Sequence, residues 1–206
     1  KLRINPFIAT LAVMVVVRGA VLAYTGTRPV VSLDEAFLEL GGGSPLPHAF
    51  LVMAVLLLIM HVVLTTRPWG RHVLAVGADS RVATMSGLRT DRIRLATYVL
   101  SGALAGLAGL FLAARLGTGS PIIGDTTPLT AAAAALIGGA SLKGGEGSII
   151  GSAAGLMFIG TLVNVMNLLG VAAYYQHIAI GGLLLALVTS EGLVSLLDRV
   201  RGDRRA

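Results

Sequence analysis

Amide side chains within apolar stretches are the first candidates for chemistry in this sequence. Asn164 and Asn167 lie three residues apart, and Gln176 follows beside Tyr175. Residues three apart lie on the same face of a helix. Because an amide in hydrocarbon needs a hydrogen-bond partner, these side chains are predicted to face a bundle interior or a water-filled path. Two interpretations stay open: hydrogen bonding to a polar solute, and hydrogen bonding between helices.

Motifs for catalysis or metal binding are not found in the sequence. Cysteine is absent, which excludes both disulfides and a thiol nucleophile. The sequence has no G-x-x-x-x-G-K-[ST] loop for ATP phosphates, no H-E-x-x-H motif and no metal-ligand spacing of His, Asp or Glu. His61 lies alone in an apolar stretch and is predicted to be a packing histidine with satisfied hydrogen bonds. We therefore predict no catalytic residue, no metal and no cofactor bound by this chain.

Residues 77–88 have the pattern of a short amphipathic helix. Asp79 or Ser80 can cap its start, and Gly87 can end it. Such a helix can dock on another protein or lie on lipid headgroups, and the residues alone leave both interpretations open. The apolar positions, which recur every three residues, are Val82, Met85 and Leu88.

Glycines recur at four-residue spacing in two apolar stretches. This spacing leaves one helix face without side chains, so that a neighbouring helix can approach closely. Static packing is the preferred interpretation, and a helix that rocks against its neighbour is the alternative. The predicted packing positions are Gly102 and Gly106 in one stretch and Gly147, Gly151 and Gly155 in the other.

The elements that carry these residues are predicted to be membrane helices. Of the 206 residues, 55% are apolar and 13% charged, and the mean hydropathy is +0.84. A soluble domain has about 25% charged residues. The composition excludes a soluble globular enzyme, a disordered chain and a disulfide scaffold. We predict an all-α polytopic transmembrane helix bundle with about six crossings, which forms a single transmembrane domain over residues 1–206.

The fourth apolar stretch is the exception in length. At about 15 residues, it is short for a hydrocarbon core of about 30 Å. It is predicted to be a tilted short helix, or a half-helix broken at Gly138 and Gly139. The polar stretch 25–48 is predicted to be an irregular loop. The six apolar stretches are residues 6–23, 49–66, 95–114, 128–142, 148–169 and 174–190.

Basic residues predict the orientation in the membrane. Residues 67–94 contain six arginines, and the tail 191–206 contains four. With the first residue inside, six crossings place thirteen basic residues in the cytoplasm and only Arg28 and Arg115 outside. We therefore expect loop 67–94 and the basic tail to be cytoplasmic. Because the chain starts at Lys1 and not at Met, an N-terminal part is expected to be missing.

The ordered set of motifs resembles the ribose-type permeases of ABC importers. The resemblance extends from about residue 3 to residue 190. It lies in PFIATL at 6–11, RG at 18–19, GR at 70–71, AVGA at 75–78, SGL at 86–88, YVLSG at 98–102, AGLAG at 105–109, GGASLKGGEG at 138–147, NLLG at 167–170 and YYQ at 174–176.

The resemblance implies a transport subunit and not an enzyme. Family members have about ten crossings, and this chain would be the C-terminal part of such a permease in the inner (plasma) membrane of a bacterium. The implied partners are a second permease subunit, in a homo- or heterodimer, cytoplasmic ATPase subunits that bind ATP, and an extracytoplasmic solute-binding protein. Membrane lipid surrounds the bundle, and nucleic acid is not a partner. The implied cargo is a monosaccharide such as ribose, xylose or galactose.

Residues 77–88 correspond to the coupling segment of the family, which docks on the ATPase. The resemblance therefore favours docking over the lipid interpretation. The implied coupling residues are Ala78, Asp79, Ser80, Arg81, Val82, Ala83, Met85, Ser86 and Gly87. The candidates for the translocation path are Asn164, Asn167, Tyr175 and Gln176.

One stretch departs from the family pattern. Family members have a sequence like E-L-x-A-I-A-A before the paired glycines, whereas this chain has PLTAAAA at 128–134. Pro128 stands at the position of the acidic residue, and Thr130 is the next residue but one in this stretch, which lacks the acidic residue of the family pattern. A permease for another small solute, such as a branched-chain amino acid or a nucleoside, therefore stays open as the alternative. A membrane-embedded enzyme is a separate and less favoured alternative, because the sequence has no catalytic constellation.

Overall fold

The computed structural model describes residues 6–31, 34–42 and 48–203, and the side chains of residues 8–31, 34–42 and 48–189. Regular structure in these ranges is helical, and no strand is formed there. A single isolated bridge pairs Val30 with Gly119. The all-α prediction is confirmed. The predicted tail residues 204–206 and the basic residues Lys1 and Arg3 lie outside the described ranges.

Among the described residues, four helices are long and apolar enough to cross a membrane: α1, α3, α6 and α8. Two shorter apolar helices, α7 and the segment Ala173–Thr189 of α9, correspond to the other two predicted crossings. The helices are α1 (Pro6–Thr25), α2 (Glu35–Gly41), α3 (His48–Thr66), α4 (Pro68–Ala78), α5 (Ser80–Met85), α6 (Thr90–Leu116), α7 (Thr127–Ile137), α8 (Ile149–Leu168) and α9 (Ala173–Asp203).

Helix α7 is a half-helix. It has 11 residues, which corresponds to about 16 Å of rise. It ends at Ile137, and Gly139 has φ +86°, a backbone conformation that favours glycine. Of the two predicted forms of this segment, the half-helix is therefore the one observed.

The chain forms two compact units, and the division between them falls within α3 and α6. The first unit comprises residues 1–54 and 100–125. In this unit, Arg18 of α1 forms a salt bridge with Asp125, and a Cβ at Gly41 would collide with the backbone of Ala114 and Arg115. That close approach positions α2, which lies in the stretch predicted to be irregular. The prediction of a purely irregular loop is therefore wrong for Glu35–Gly41.

The second unit comprises residues 55–99 and 126–206, and its centre is an antiparallel pair formed by α7 and α8. Gly138 lies against Gly151, and Gly155 lies against Ala134, so residue numbers rise along one helix as they fall along the other. The core consists of Ala133, Ala134 and Ile159, with partly buried Ile137, Val163, Ile180 and Leu184 packed around it.

The close approach predicted from glycine spacing is present at only part of the predicted positions. A Cβ at Gly151 would overlap the carbonyl oxygen of Gly138, which follows α7, and a Cβ at Gly155 would overlap that of Ala134 in α7, so these two positions require glycine. Gly147 precedes α8, and its nearest neighbour, the Cβ of Ala140, would lie at an ordinary 3.7 Å. At Gly102 and Gly106 no described atom lies within 4 Å of a Cβ, so the predicted packing is not found on that face of α6.

Candidate functional site

The short helix α5 begins at a cap that the sequence predicts. The backbone N–H of Asp79 donates the last helical hydrogen bond of α4, to the carbonyl of Ala75 at 3.2 Å, and the extended backbone of Asp79 ends the helix. The Oδ1 atom of Asp79 accepts hydrogen bonds from the backbone N–H of Arg81 (2.7 Å) and of Val82 (3.1 Å). Because the first N–H groups of a helix lack partners within the helix, this carboxylate satisfies two of them. One residue therefore separates two helices.

The end of α5 is also as predicted. Gly87 has φ +82°, a conformation that L side chains rarely adopt. The N–H of Leu88 then reaches back to the carbonyl of Ala83, at 3.1 Å. This is the hydrogen-bond pattern of a glycine-terminated helix. The hydroxyl of Ser86 donates to the carbonyl of Val82, at 3.0 Å.

The apolar side chains of α5 divide into an exposed pair and a buried residue. Val82 is 57% exposed and Met85 is 79% exposed, whereas Leu88 is half-buried. Ala83 is only 4% exposed. Ala83 is predicted to be among the docking residues, but its side chain is buried within the protein. Val82 and Met85 are therefore the side chains that α5 presents for contact.

The other predicted coupling residues, Ser80, Arg81 and Ala78, differ in their surroundings. Ser80 is half-buried, and its carbonyl accepts a hydrogen bond from the hydroxyl of Thr84 at 2.7 Å. Arg81 is exposed. Ala78 is the last residue of α4 and contacts the loop between α7 and α8.

The loop between α7 and α8 lies directly against the residues before α5. A Cβ on Gly77 would lie 2.9 Å from the backbone nitrogen of Gly145. A Cβ on Gly145 would lie 2.7 Å from the Cα of Ala78. These contacts place the loop that carries Lys143 at the same end of the second unit as the basic segment with α5. The sequence predicts these two segments to share one side of the membrane.

The amides at the other candidate site form a link between two helices. The side chain of Gln176, at the start of α9, is 9% exposed. Its Nε2 donates to Oδ1 of Asn167 in α8, at 2.7 Å, and to the carbonyl of Val171, at 3.1 Å. The geometry therefore favours hydrogen bonding between helices for Asn167 and Gln176.

Asn164 and Tyr175 are not part of this link. Asn164 is exposed, and its amide has no hydrogen-bond partner among the residues whose side chains the structure describes. Tyr175 is 54% exposed, and its ring centroid lies 4.5 Å from that of Tyr174. Of the three predicted path residues that carry an amide, Asn164 is the one without a hydrogen bond to another residue in the described part of the chain.

The sequence did not predict the salt bridge of Arg18, and the prediction for His61 differs from the structure. The salt-bridge partner of Arg18, Asp125, lies far along the chain in a glycine- and proline-containing loop, so sequence spacing gave no signal for the pair. His61 is partly buried, and its Nδ1 is buried without a hydrogen-bond partner in the described part of the chain. The prediction of a satisfied histidine is therefore wrong. Among the described residues, no group of three or more His, Asp or Glu side chains is arranged to hold a metal ion.

Comparison with known proteins gives matches along most of the chain. Residues 1–188 match the family described as the permease component of the branched-chain amino acid transport system. No solved structure matches the chain.

Sugar import permeases are among the curated relatives. The ribose import permease protein RbsC of Bacillus subtilis (strain 168) is 39% identical over 205 residues, which is 97% of this chain and 61% of the relative. The ribose import permease protein RbsC of Haemophilus influenzae is 34% identical, over 93% of this chain and 61% of the relative. The L-arabinose transport system permease protein AraH of Escherichia coli (strain K12) is 36% identical, over 91% of this chain and 58% of the relative. The chain thus spans about three fifths of the length of these relatives.

Proposed function

Because the chain belongs to the permease-component family of the branched-chain amino acid transport system, we propose that it is part of the permease subunit of an ATP-binding-cassette importer for a monosaccharide. One observation carries the proposal of a sugar as cargo. The match to a ribose import permease covers 97% of the chain, including α5 and the amide-bearing helices. Relatives named for ribose and for L-arabinose both support a pentose-sized solute.

The proposed role of α5 is to dock on a cytoplasmic ATPase. Its exposed Val82 and Met85 form an apolar pair on a helix that is capped by Asp79 and ended by Gly87. Apolar side chains on one face of a short helix fit a groove on a partner protein. The six arginines of residues 67–94 support a cytoplasmic location by the positive-inside rule.

The proposed mechanism is alternating access. ATP binding closes a pair of ATPase subunits, and α5 carries this movement into the helix bundle. The bundle then exchanges one packing arrangement for another and changes the side to which its path opens. In this mechanism the chain provides the path and the mechanical connection, and hydrolysis occurs on the partner subunit.

Asn164 is the proposed contact of this chain with the sugar. Its exposed amide can donate and accept hydrogen bonds, as sugar hydroxyls do. The Asn167–Gln176 bond holds α8 and α9 together next to it. A path must bind its solute weakly enough to release it. We therefore propose that an extracytoplasmic binding protein provides most of the affinity, and that a second permease subunit completes the path.

Uptake by the whole transporter tests the cargo. We expect cells that carry the full-length permease with its ATPase and binding protein to accumulate labelled ribose or arabinose, and an ATPase with a disabled phosphate loop to abolish this uptake. Labelled leucine and adenosine serve as competing cargoes in the same cells. Accumulation of leucine or adenosine without any pentose would contradict the proposal.

A further inference from the structure

The loop between α7 and α8 contacts the coupling region through backbone atoms. We name residues 141–147 the glycine loop. A Cβ on Gly144 would lie 2.5 Å from the carbonyl oxygen of Gly77, and a Cβ on Gly145 would lie 2.7 Å from the Cα of Ala78. At these distances no side chain can be inserted without moving one of the two segments.

The glycine loop has a defined conformation. The N–H of Ser141 donates to the carbonyl of Glu146 at 3.2 Å, and the N–H of Gly144 donates to the carbonyl of Ser141 at 3.1 Å. The hydroxyl of Ser141 also accepts from the N–H of Lys143, at 3.2 Å. Gly144 and Gly145 have φ of +86° and +83°, which only glycine adopts readily. Internal hydrogen bonds and backbone geometry therefore hold the loop in one shape.

This contact connects the proposed docking helix α5 with helix α8, which carries the proposed sugar contact. Ala78 is followed by Asp79, the cap of α5. The glycine loop joins α7 to α8, and at Gly151 and Gly155 the backbone of α8 lies directly against residues Gly138 and Ala134. Helix α8 carries Asn164, the proposed contact with the sugar. The contact is thus a continuous packed connection between the docking helix and the path.

We propose that Gly77, Gly144 and Gly145 are positioning residues that transmit the displacement of α5 to the α7–α8 pair through direct backbone contact. Packed backbone has no flexible side chain to absorb a shift, so movement at Ala78 displaces the loop. This inference rests on the proposed docking of α5.

The first test is Gly77→Ala in the full-length transporter. Gly77 lies within α4, where alanine is otherwise favourable, and the nearest atoms to its added Cβ belong to Gly144 and Gly145 of the glycine loop. Gly160→Ala is the matched control, because Gly160 is in α8 and no described atom lies within 4 Å of its Cβ. We expect sugar uptake per ATP hydrolysed to be about tenfold or more lower in Gly77→Ala than in Gly160→Ala, and the amount of co-purified ATPase, measured in both variants, separates this loss from a loss of docking. Uptake equal to that of Gly160→Ala would overturn the inference.

The second test is a cross-link between the two segments. It also tests whether they move together if Gly77→Ala does not assemble. Cysteines introduced by Ala78→Cys and Glu146→Cys are joined with a short bismaleimide in an otherwise cysteine-free transporter. If the two segments move together, the cross-linked transporter keeps its uptake. Loss of uptake on cross-linking, where the same two cysteines capped with a monofunctional maleimide keep their uptake, would show that the segments must separate and would overturn the inference. Failure of the proposed function is distinguishable, because the unmodified transporter would then import no pentose in either test.

Discussion

The surroundings of Gln176 distinguish the two interpretations of the amide side chains, which are hydrogen bonding to a polar solute and hydrogen bonding between helices. The sequence requires partners for amides in hydrocarbon, but it does not say which groups provide them. In the structure, Asn167 and the carbonyl of Val171 both accept hydrogen bonds from Gln176. This pair is a structural link between helices, whereas the amide of Asn164 has no partner among the residues that the structure describes.

The Asn167–Gln176 link predicts a coupling energy in a double-mutant cycle of Asn167→Leu and Gln176→Leu. Hydrogen bonds between membrane helices contribute about 0.6 kcal/mol on average and up to about 1.7 kcal/mol. We expect a coupling in this range from unfolding of the purified full-length protein in detergent, and an unchanged KM for sugar uptake in both single variants. A coupling of zero with a raised KM would assign these residues to the path instead.

The start and the end of α5 could be predicted because they depend on residues close by in the sequence. Contacts between residues far apart in the sequence could not be predicted in this way. Asp79 and Gly87 act on groups within three or four residues, so the cap and the end of the helix could be predicted from the sequence. The burial of Ala83 depends on tertiary packing, and the partner of Arg18 lies in a distant loop. Spacing along the sequence contains no information about either contact.

At the scale of elements, α5 is a small helix with an exposed apolar pair, and its docking can be tested at Met85. We expect Met85→Glu to abolish co-purification of the ATPase while membrane insertion stays normal, because a charge would be desolvated in an apolar groove. Met85→Leu is the matched control and keeps the ATPase bound, because it conserves volume and apolarity. Normal co-purification with Met85→Glu would exclude docking through this face.

The α7–α8 pair depends on glycine at the point of closest approach. A side chain at Gly155 would overlap the carbonyl oxygen of Ala134 and lie 3.1 Å from the nitrogen of Gly138. We expect Gly155→Ala to lower the free energy of unfolding by about 1–3 kcal/mol, as overpacking does. Gly160→Ala on the same helix, whose Cβ meets no described atom, is expected to be neutral or slightly stabilising. Equal thermal stability of both variants in detergent would contradict the packing described here.

Long helices were predictable from the sequence, whereas among the short ones α5 was predictable, because Asp79 and Gly87 mark its start and its end, and α2 was not. Apolar runs of about 20 residues have one physical explanation, the thickness of a membrane. Helix α2 has seven residues among polar, glycine- and proline-rich neighbours, and its contact at Gly41 with the backbone of Ala114 and Arg115 is a tertiary one. A half-helix such as α7 was foreseen only as one of two alternatives, because Gly138 and Gly139 permit a break without requiring it.

At the scale of the whole molecule, charge and packing agree on which segments lie together. The positive-inside rule predicts that residues 67–94 and Lys143 share one side of the membrane. The contacts of Gly144 and Gly145 with Gly77 and Ala78 bring these two segments to one end of the second unit. The proposal that this side is the cytoplasm connects α5 to an ATPase, and the rest of the mechanism depends on it.

Accessibility of single introduced thiols tests this placement directly. The described chain has no cysteine, so Arg81→Cys, Lys143→Cys and Arg28→Cys each introduce one reporter into a cysteine-free full-length protein. In intact spheroplasts, a membrane-impermeant maleimide is expected to label Arg28→Cys only, and the other two are expected to react only after the membrane is opened. Labelling of Arg81→Cys from outside would place α5 away from any cytoplasmic ATPase and would contradict the account.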